Sequence, residues 1–211
     1  MKAHNVAAAL ALAAAILAGT VAFADDSMSG GSTSTQMNGR FGGPVYDGPP
    51  NLAVTSSLVA AGGGAQKYST AAALTSMLGA DTVKAEVAKL NKQYGDAAVA
   101  QWLKTFDFAV DDALKIATAA GVKLPAPTLS GKELAETLVK AGTAPDGTFQ
   151  IEYLLDKAVS HKIHVQVMDD IDANPDFGKK ADYDYHRISN QAFYDVAQAL
   201  GMTNVKLASV H

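Results

Sequence analysis

The sequence predicts an all-α fold, a bundle of about six to seven helices that follows an amino-terminal segment rich in Gly, Ser and Pro. Beyond Pro50, apolar residues recur at the three- and four-residue spacing of amphipathic helices. Glycines follow most of these apolar stretches, as they do at helix ends, and alanine, the residue with the highest helix propensity, is abundant. The chain has no cysteine, so the predicted bundle depends on an ordinary hydrophobic core, which a chain of this length can bury.

Residues 1–24 have the three parts of a secretory signal peptide. Lys2 supplies the positive charge, residues 6–21 carry no charged side chain, and Ala22-Phe23-Ala24 matches the small-x-small cleavage pattern. A membrane anchor needs about 20 apolar residues, and this stretch is shorter. We therefore expect cleavage after Ala24, a mature protein in the periplasm or the medium, and no membrane span in the mature form.

Residues 25–50 are predicted to form a flexible tether. Gly, Ser, Thr, Asn and Pro dominate this stretch and its apolar residues show no period, a composition that does not bury enough surface to offset the entropy of ordering. The cluster from Phe41 to Tyr46 is the exception and is expected to pack against the domain. The helical domain itself is predicted to span residues 51–211.

Seven helices are predicted in this domain, each between a capping residue or turn and a glycine or proline. Ser130-Gly131-Lys132-Glu133 has the pattern of a capping box. The predicted helices run from Asn51 to Val59, Ser69 to Leu78, Asp81 to Tyr94, Asp96 to Ala120, Ser130 to Ala141, Thr148 to Ile171 and Asp182 to Leu200.

Residues 159–168 are open to two interpretations. Ile163, Val165 and Val167 alternate with polar residues, which is the period of a strand. A helix is favoured because a lone strand would have no partner, and isolated strand pairs are marginal in water.

The domain also shows an internal similarity between residues 51–125 and 130–208. The stretch 52–62 resembles 134–142, and Tyr68 then matches Phe149 at an offset that stays near eighty residues. The similarity predicts two related helical halves, although alanine-rich helices also match by chance.

The overall charge excludes several classes of partner. The full sequence carries 17 basic and 21 acidic residues, and loss of Lys2 with the signal makes the mature chain slightly more acidic. Nucleic-acid-binding proteins need basic patches, and with Arg40 and Arg187 as its only arginines the chain lacks paired guanidiniums for phosphate. Phosphate-loop and G-x-S-x-G motifs are also absent. We therefore predict a non-enzymatic accessory or interaction protein with a protein partner, such as a small subunit of a periplasmic complex.

Histidines give the main alternative, a periplasmic metal- or haem-binding protein. His161 and His164 are three residues apart, which places them on adjacent faces of a helix, and Asp169 follows. His186 approaches this pair if the last two helices pack antiparallel. Imidazoles with a carboxylate suit zinc, copper or iron, and histidine paired with histidine or methionine ligates haem. A purely structural role is the competing interpretation, because His161 lies in line with the buried stripe of its helix.

Two aspartates on the fourth predicted helix, Asp107 and Asp111, are one turn apart. Like charges at this spacing are mildly destabilising unless a cation or lysine compensates. They are interpreted as part of a solvated polar face.

The stretch from Ala60 to Tyr68 and the helix from Phe106 to Gly121 resemble parts of the bacterial truncated globins. The resemblance covers less than a third of the chain and implies a helical fold with haem as cofactor. The region from Leu74 to Met77, where that family's haem-binding histidine is expected, contains no histidine.

Overall fold

The computed structural model describes residue 40 and residues 42–63, 67–123, 129–178 and 180–209. These residues form eight helices and one pair of two-residue strands, which confirms the predicted all-α fold. Among them, no helix has the length and apolar composition needed to cross a bilayer. The predicted signal peptide lies outside the described residues. The elements are α1 (Leu52–Ala61), α2 (Thr70–Leu78), α3 (Ala80–Tyr94), α4 (Asp96–Ala119), α5 (Gly131–Gly142), β1 (Thr148–Phe149), α6 (Ile151–Val159), α7 (His161–Ala173), α8 (Ala181–Ala199) and β2 (Lys206–Leu207).

Two of the predicted helix caps are present and two are not. The side chains of Asn51 and Ser69 accept hydrogen bonds from backbone N–H groups in the first turns of α1 and α2, as N-cap residues do. Asp81 does not cap α3, because that helix begins at Ala80 directly after a glycine. Ser130 makes no capping hydrogen bond to α5, so the predicted capping box does not form.

The predicted helix from Thr148 to Ile171 is two helices, α6 and α7. The break is at Ser160, whose φ of 93° and ψ of 151° are incompatible with an α-helix. Residues 161–168 are helical as favoured from the sequence. A similar break, at Gly79 with φ 83° and ψ 154°, separates α2 from α3.

The core lies around the two long helices α4 and α8, which pack against each other. Phe106 of α4 is fully buried, and its ring centroid lies 5.4 Å from that of Tyr185 and 6.3 Å from that of Phe193, both on α8. Trp102 donates a hydrogen bond from its indole nitrogen to Ser189 Oγ at 2.8 Å. This one polar contact satisfies the buried indole N–H.

The described helices fall into two successive sets of four, α1 to α4 and then α5 to α8. Both halves place a buried aromatic ring against a glycine at the end of the first helix. The ring of Tyr68 lies over Gly62, and the ring of Phe149 lies over Gly142, each too close for a side chain to fit at the glycine. The internal repeat itself stays a prediction.

Side chains of α4 and α8 cap neighbouring helices. Asp107 accepts a hydrogen bond from the first N–H of α2 at 2.6 Å, and Asn190 accepts one from the first N–H of α6 at 2.8 Å. Asp111 accepts a hydrogen bond from the backbone N–H of Tyr68 at 2.6 Å. The interpretation of Asp107 and Asp111 as part of a solvated face is therefore wrong, since both carboxylates accept hydrogen bonds from the backbone that leads into α2.

Residues 42–50 of the predicted tether lie against the helical domain. The backbone N–H of Tyr46 donates to the carboxylate of Asp156 at 3.2 Å. The Tyr46 ring meets the Tyr153 ring edge-on, with 6.1 Å between centroids. Phe41 lies outside the described residues.

Candidate functional site

A cluster of ionisable side chains lies between α6, α7 and α8. Five of its members are less than 9% exposed and the sixth, His161, is partly exposed. Burying charges is costly unless they are paired and hydrogen-bonded. A buried cluster of ionisable side chains is therefore a candidate functional site. The cluster, called here the polar cluster, consists of Glu152, Asp156, His161, His164, Asp182 and His186.

Asp156 is the centre of one side of the polar cluster. Its fully buried carboxylate accepts a hydrogen bond from His164 Nδ1 at 2.8 Å, and His161 Nδ1 lies 3.1 Å from the same oxygen. The backbone N–H of Tyr46 is the third donor. The chain break at Ser160 makes this possible, because it turns the start of α7 toward the last turn of α6. A carboxylate that accepts three hydrogen bonds is well satisfied in a buried position.

His186 is the centre of the other side. Its Nδ1–H donates to the backbone carbonyl of Asp182 at 2.8 Å, and Asp182 Oδ1 lies 3.0 Å from the same nitrogen. His186 Nε2 lies 3.5 Å from Glu152 Oε1. Burial by itself lowers the pKa of His186, but the hydrogen bonds and charges of Asp182 and Glu152 outweigh it and raise the pKa above its ordinary value. The imidazolium form is therefore favoured.

The two sides of the polar cluster meet at His164 and His186. Their ring centroids are 6.2 Å apart and the ring planes are 29° from parallel. His164 is 2% exposed, and its Nε2 has no hydrogen-bond partner among the described residues. The Asp156 carboxylate fixes the proton on Nδ1 and so leaves Nε2 as the free nitrogen, the arrangement that orients metal-ligating histidines in proteins.

A pocket of about 240 Å³ opens onto the polar cluster. The residues that line it include Glu152, His186, Gln150, Asn190 and Gly43. The volume lies below the range of about 300–1,000 Å³ of drug-sized ligand sites. The pocket therefore suits a molecule smaller than a drug or a haem.

The structure brings the predicted histidines together and leaves the predicted aspartate apart. His161 and His164 share the Asp156 carboxylate, and His186 adjoins His164. Asp169 is 71% exposed in its side chain and pairs with Arg40 at 3.5 Å. Within the described ranges, no group of three or more His, Asp or Glu side chains is arranged to hold a metal ion.

Sequence reasoning missed the acidic half of the site, Glu152, Asp156 and Asp182. The available signal was their position on the buried faces of predicted helices, four residues apart in Glu152–Asp156 and in Asp182–His186. An acidic residue on an apolar stripe is almost never buried unless it is paired. That rule would have linked these three carboxylates to the histidines.

Arg40 links α7 to α8 beside the polar cluster. Its Nε lies 2.7 Å from Asp182 Oδ2, and its two Nη atoms pair with Asp169 and Asp172 of α7. The guanidinium therefore neutralises the buried Asp182 carboxylate, which lies next to His186.

No protein-family model matches this chain, and no curated protein or solved structure shows significant similarity to it.

Proposed function

We propose that this protein is an exported, non-enzymatic binding protein and that its ligand site is the pocket above His186 and Glu152. The observation that carries the proposal is the ionisable pair itself. His186 is 1% exposed and Glu152 is 6% exposed, and the pocket reaches both side chains. A buried ionic pair is weak evidence for stability, so its position in the lining of a pocket favours a binding role.

The pocket chemistry indicates a small polar ligand. His186 provides a cationic donor, Glu152 provides an anionic acceptor, and Gln150 and Asn190 add amides. Both ring nitrogens of His186 face acidic groups, which fix the orientation of the ring in the pocket lining.

Native mass spectrometry of the protein isolated from its own compartment tests this proposal by identifying a co-purifying small molecule. The identified compound is then titrated against H186Q, E152Q and H161Q by calorimetry. We expect the first two variants to lose affinity at least about tenfold, since each removes a charged hydrogen-bonding partner. H161Q is the matched control, because His161 belongs to the polar cluster but does not line the pocket. Equal affinity in all three variants would overturn the assignment.

Metal binding is a second candidate, and His164 Nε2, which has no hydrogen-bond partner in the described part of the chain, favours it. Of the histidines and Asp169 predicted from the sequence, His164 is the one that offers a ring nitrogen, and a bound metal would have to draw further ligands from side chains that are now arranged otherwise. Equilibrium dialysis against Zn²⁺ followed by metal analysis tests it. Wild-type protein and H161Q are expected to retain zinc and H164Q to lose it. Retention of zinc by H164Q, or no retention by the wild type, would exclude this candidate.

The accessory role with a protein partner is the third part of the proposal, and the composition of the amino-terminal segment supports it. Pull-down experiments should compare the mature chain with a variant lacking residues 25–39, because residues 42–50 pack on the domain. We expect the partner to be lost with residues 25–39. A strictly monomeric protein in native extracts would contradict the role.

A further inference from the structure

We propose that Arg40 is a positioning residue for the polar cluster, and that Arg40 with residues 42–46 forms a strap whose docking completes the site. This inference rests on the proposed binding function for its meaning, although its test does not need a ligand. The strap makes three contacts with the domain, at its start, its middle and its end.

The first contact joins the strap to α7 and α8. Arg40 pairs with the exposed Asp169 and Asp172 and with Asp182, which is 5% exposed. Exposed ion pairs contribute little to stability, so the important partner is the buried Asp182 carboxylate. Removing Arg40 takes one of its two cationic partners from this buried carboxylate and leaves it beside His186 alone, which is destabilising for a buried charge.

The consequence of this contact reaches His186. Asp182 contacts the His186 imidazole through both its backbone carbonyl and its carboxylate. Without Arg40, the carboxylate is expected to turn toward solvent, because water then becomes its best partner. The His186 ring would lose one of the two acidic groups that fix it.

The contact at the other end of the strap acts on His164. The backbone N–H of Tyr46 donates to Asp156, the carboxylate that accepts from His164 Nδ1. Tyr46 also packs against the Tyr153 ring, and the ammonium of Lys157 lies 5.8 Å from the Tyr46 ring centroid. The two ends of the strap therefore contact the two carboxylates that orient the two buried imidazoles.

The middle of the strap forms part of the pocket. Gly42 and Gly43 lie in the pocket wall, and Gly43 is buried against the side chain of Gln150. A Cβ atom at Gly43 would lie 2.8 Å from Gln150 Nε2 and closer still to Oε1. The strap thus forms one side of the pocket.

Histidine accessibility to diethylpyrocarbonate, read peptide by peptide in the full mature protein, tests the inference. We expect R40Q to increase the modification rates of His164 and His186 at least about tenfold, since an uncompensated buried charge favours local opening. D169N is the matched control, because it removes an Arg40 contact to an exposed carboxylate only, and it should leave both rates unchanged. Unchanged rates in R40Q would overturn the inference.

The positions of the His164 and His186 rings provide a second measurement, which a general loss of stability would not change. The imidazole nitrogen signals of His164 and His186 in ¹⁵N NMR are expected to shift in R40Q and to stay in place in D169N. Coincident imidazole signals in R40Q and the wild type would refute the positioning role. Failure of the binding experiments leaves these two readouts unaffected, so the two proposals fail separately.

Discussion

At the scale of single residues, Gly142 shows how tightly the second half is packed. A Cβ atom there would lie 2.8 Å from Phe149 Cζ and closer to Cε2. Phe149 is fully buried and stacks on Phe193 with 5.0 Å between ring centroids, so the ring has no space to move away. The glycine is required by close packing and not by its backbone conformation, because its φ is not positive.

We therefore expect G142A to lower the free energy of unfolding by about 1–3 kcal/mol, the usual cost of overpacking a core. Urea denaturation at constant m-value measures the change. G178A is the control, because a Cβ at Gly178 would meet no atom within 4 Å, and its midpoint should stay close to that of the wild type. Equal midpoints for the two variants would contradict the packing argument.

Three ionisable groups, the buried His186 and the partly buried Glu86 and Asp112, make the folded state bind protons more strongly than the unfolded chain does. Burial and the neighbouring carboxyl of Asp195 raise the pKa of Glu86 to about 7, against the opposing charge of Lys89. Burial and the carboxyl of Asp170 likewise raise the pKa of Asp112. The pKa of His186 is raised as described above.

All three pKa shifts change the free energy of unfolding in the same direction as the pH rises. When folding raises the pKa of a carboxyl group, the free energy of unfolding falls as the pH rises from the ordinary pKa of that group to its folded-state pKa. When folding raises the pKa of a histidine, the added stability is likewise lost as the pH rises through the raised pKa. We expect the free energy of unfolding to decrease from about pH 4.5 to above pH 7, measured by urea denaturation. E86Q should flatten the part between about 4.5 and 7. A stability that increases over this interval would disprove the expectation.

At the scale of elements, the two chain breaks at Gly79 and Ser160 have nearly the same backbone angles. Ser160 is the one non-glycine residue with positive φ among the described residues, in a region of backbone angles that glycine tolerates and other residues adopt under strain. Its hydroxyl makes no capping hydrogen bond to α7. The strain persists because the break is what brings His161 and His164 to Asp156.

The two breaks predict opposite effects of a reciprocal exchange. S160G should stabilise the protein by about 1 kcal/mol by removing the strain, and G79S should destabilise it by a similar amount. Thermal or urea denaturation of both variants gives the comparison, with each serving as the control of the other. A destabilised S160G would show that the serine side chain has a role that its contacts do not reveal.

Helix positions were largely predictable because each helix carries its own apolar period and its own end signal. Asn51 and Ser69 illustrate this, since their caps use only residues two or three positions away. The division between α6 and α7 was not predictable, because the apolar stripe continues through Ser160 and a serine there gives no stop signal.

At the scale of the whole molecule, the polar cluster belongs to the second half alone. When Ser160 is aligned with Gly79, Asp156 falls opposite Thr75 and His164 falls opposite Val83. If the halves arose by duplication, the second acquired ionisable groups where the first kept neutral ones. Such a difference would support the view that the polar cluster serves binding and not folding.

The predicted export also concerns the whole chain. We expect amino-terminal sequencing of the protein from its native cells to begin at Asp25, because the cleavage pattern ends at Ala24. Replacing Ala24 by a large charged residue, as in A24K, should leave the longer precursor, visible as an increase in mass. A native protein that begins at Met1 would refute the predicted export.

By itself, the sequence determined the all-α class, most of the helices and the group of histidines worth inspecting, because helix periodicity, capping and glycine stops act over a few residues. Only the tertiary structure decided which carboxylates meet those histidines. Asp156 and His164 lie on different helices, and Arg40 reaches Asp182 from far along the chain. Contacts of this kind depend on how the helices pack, and the spacing of residues within one helix contains no information about the helix opposite.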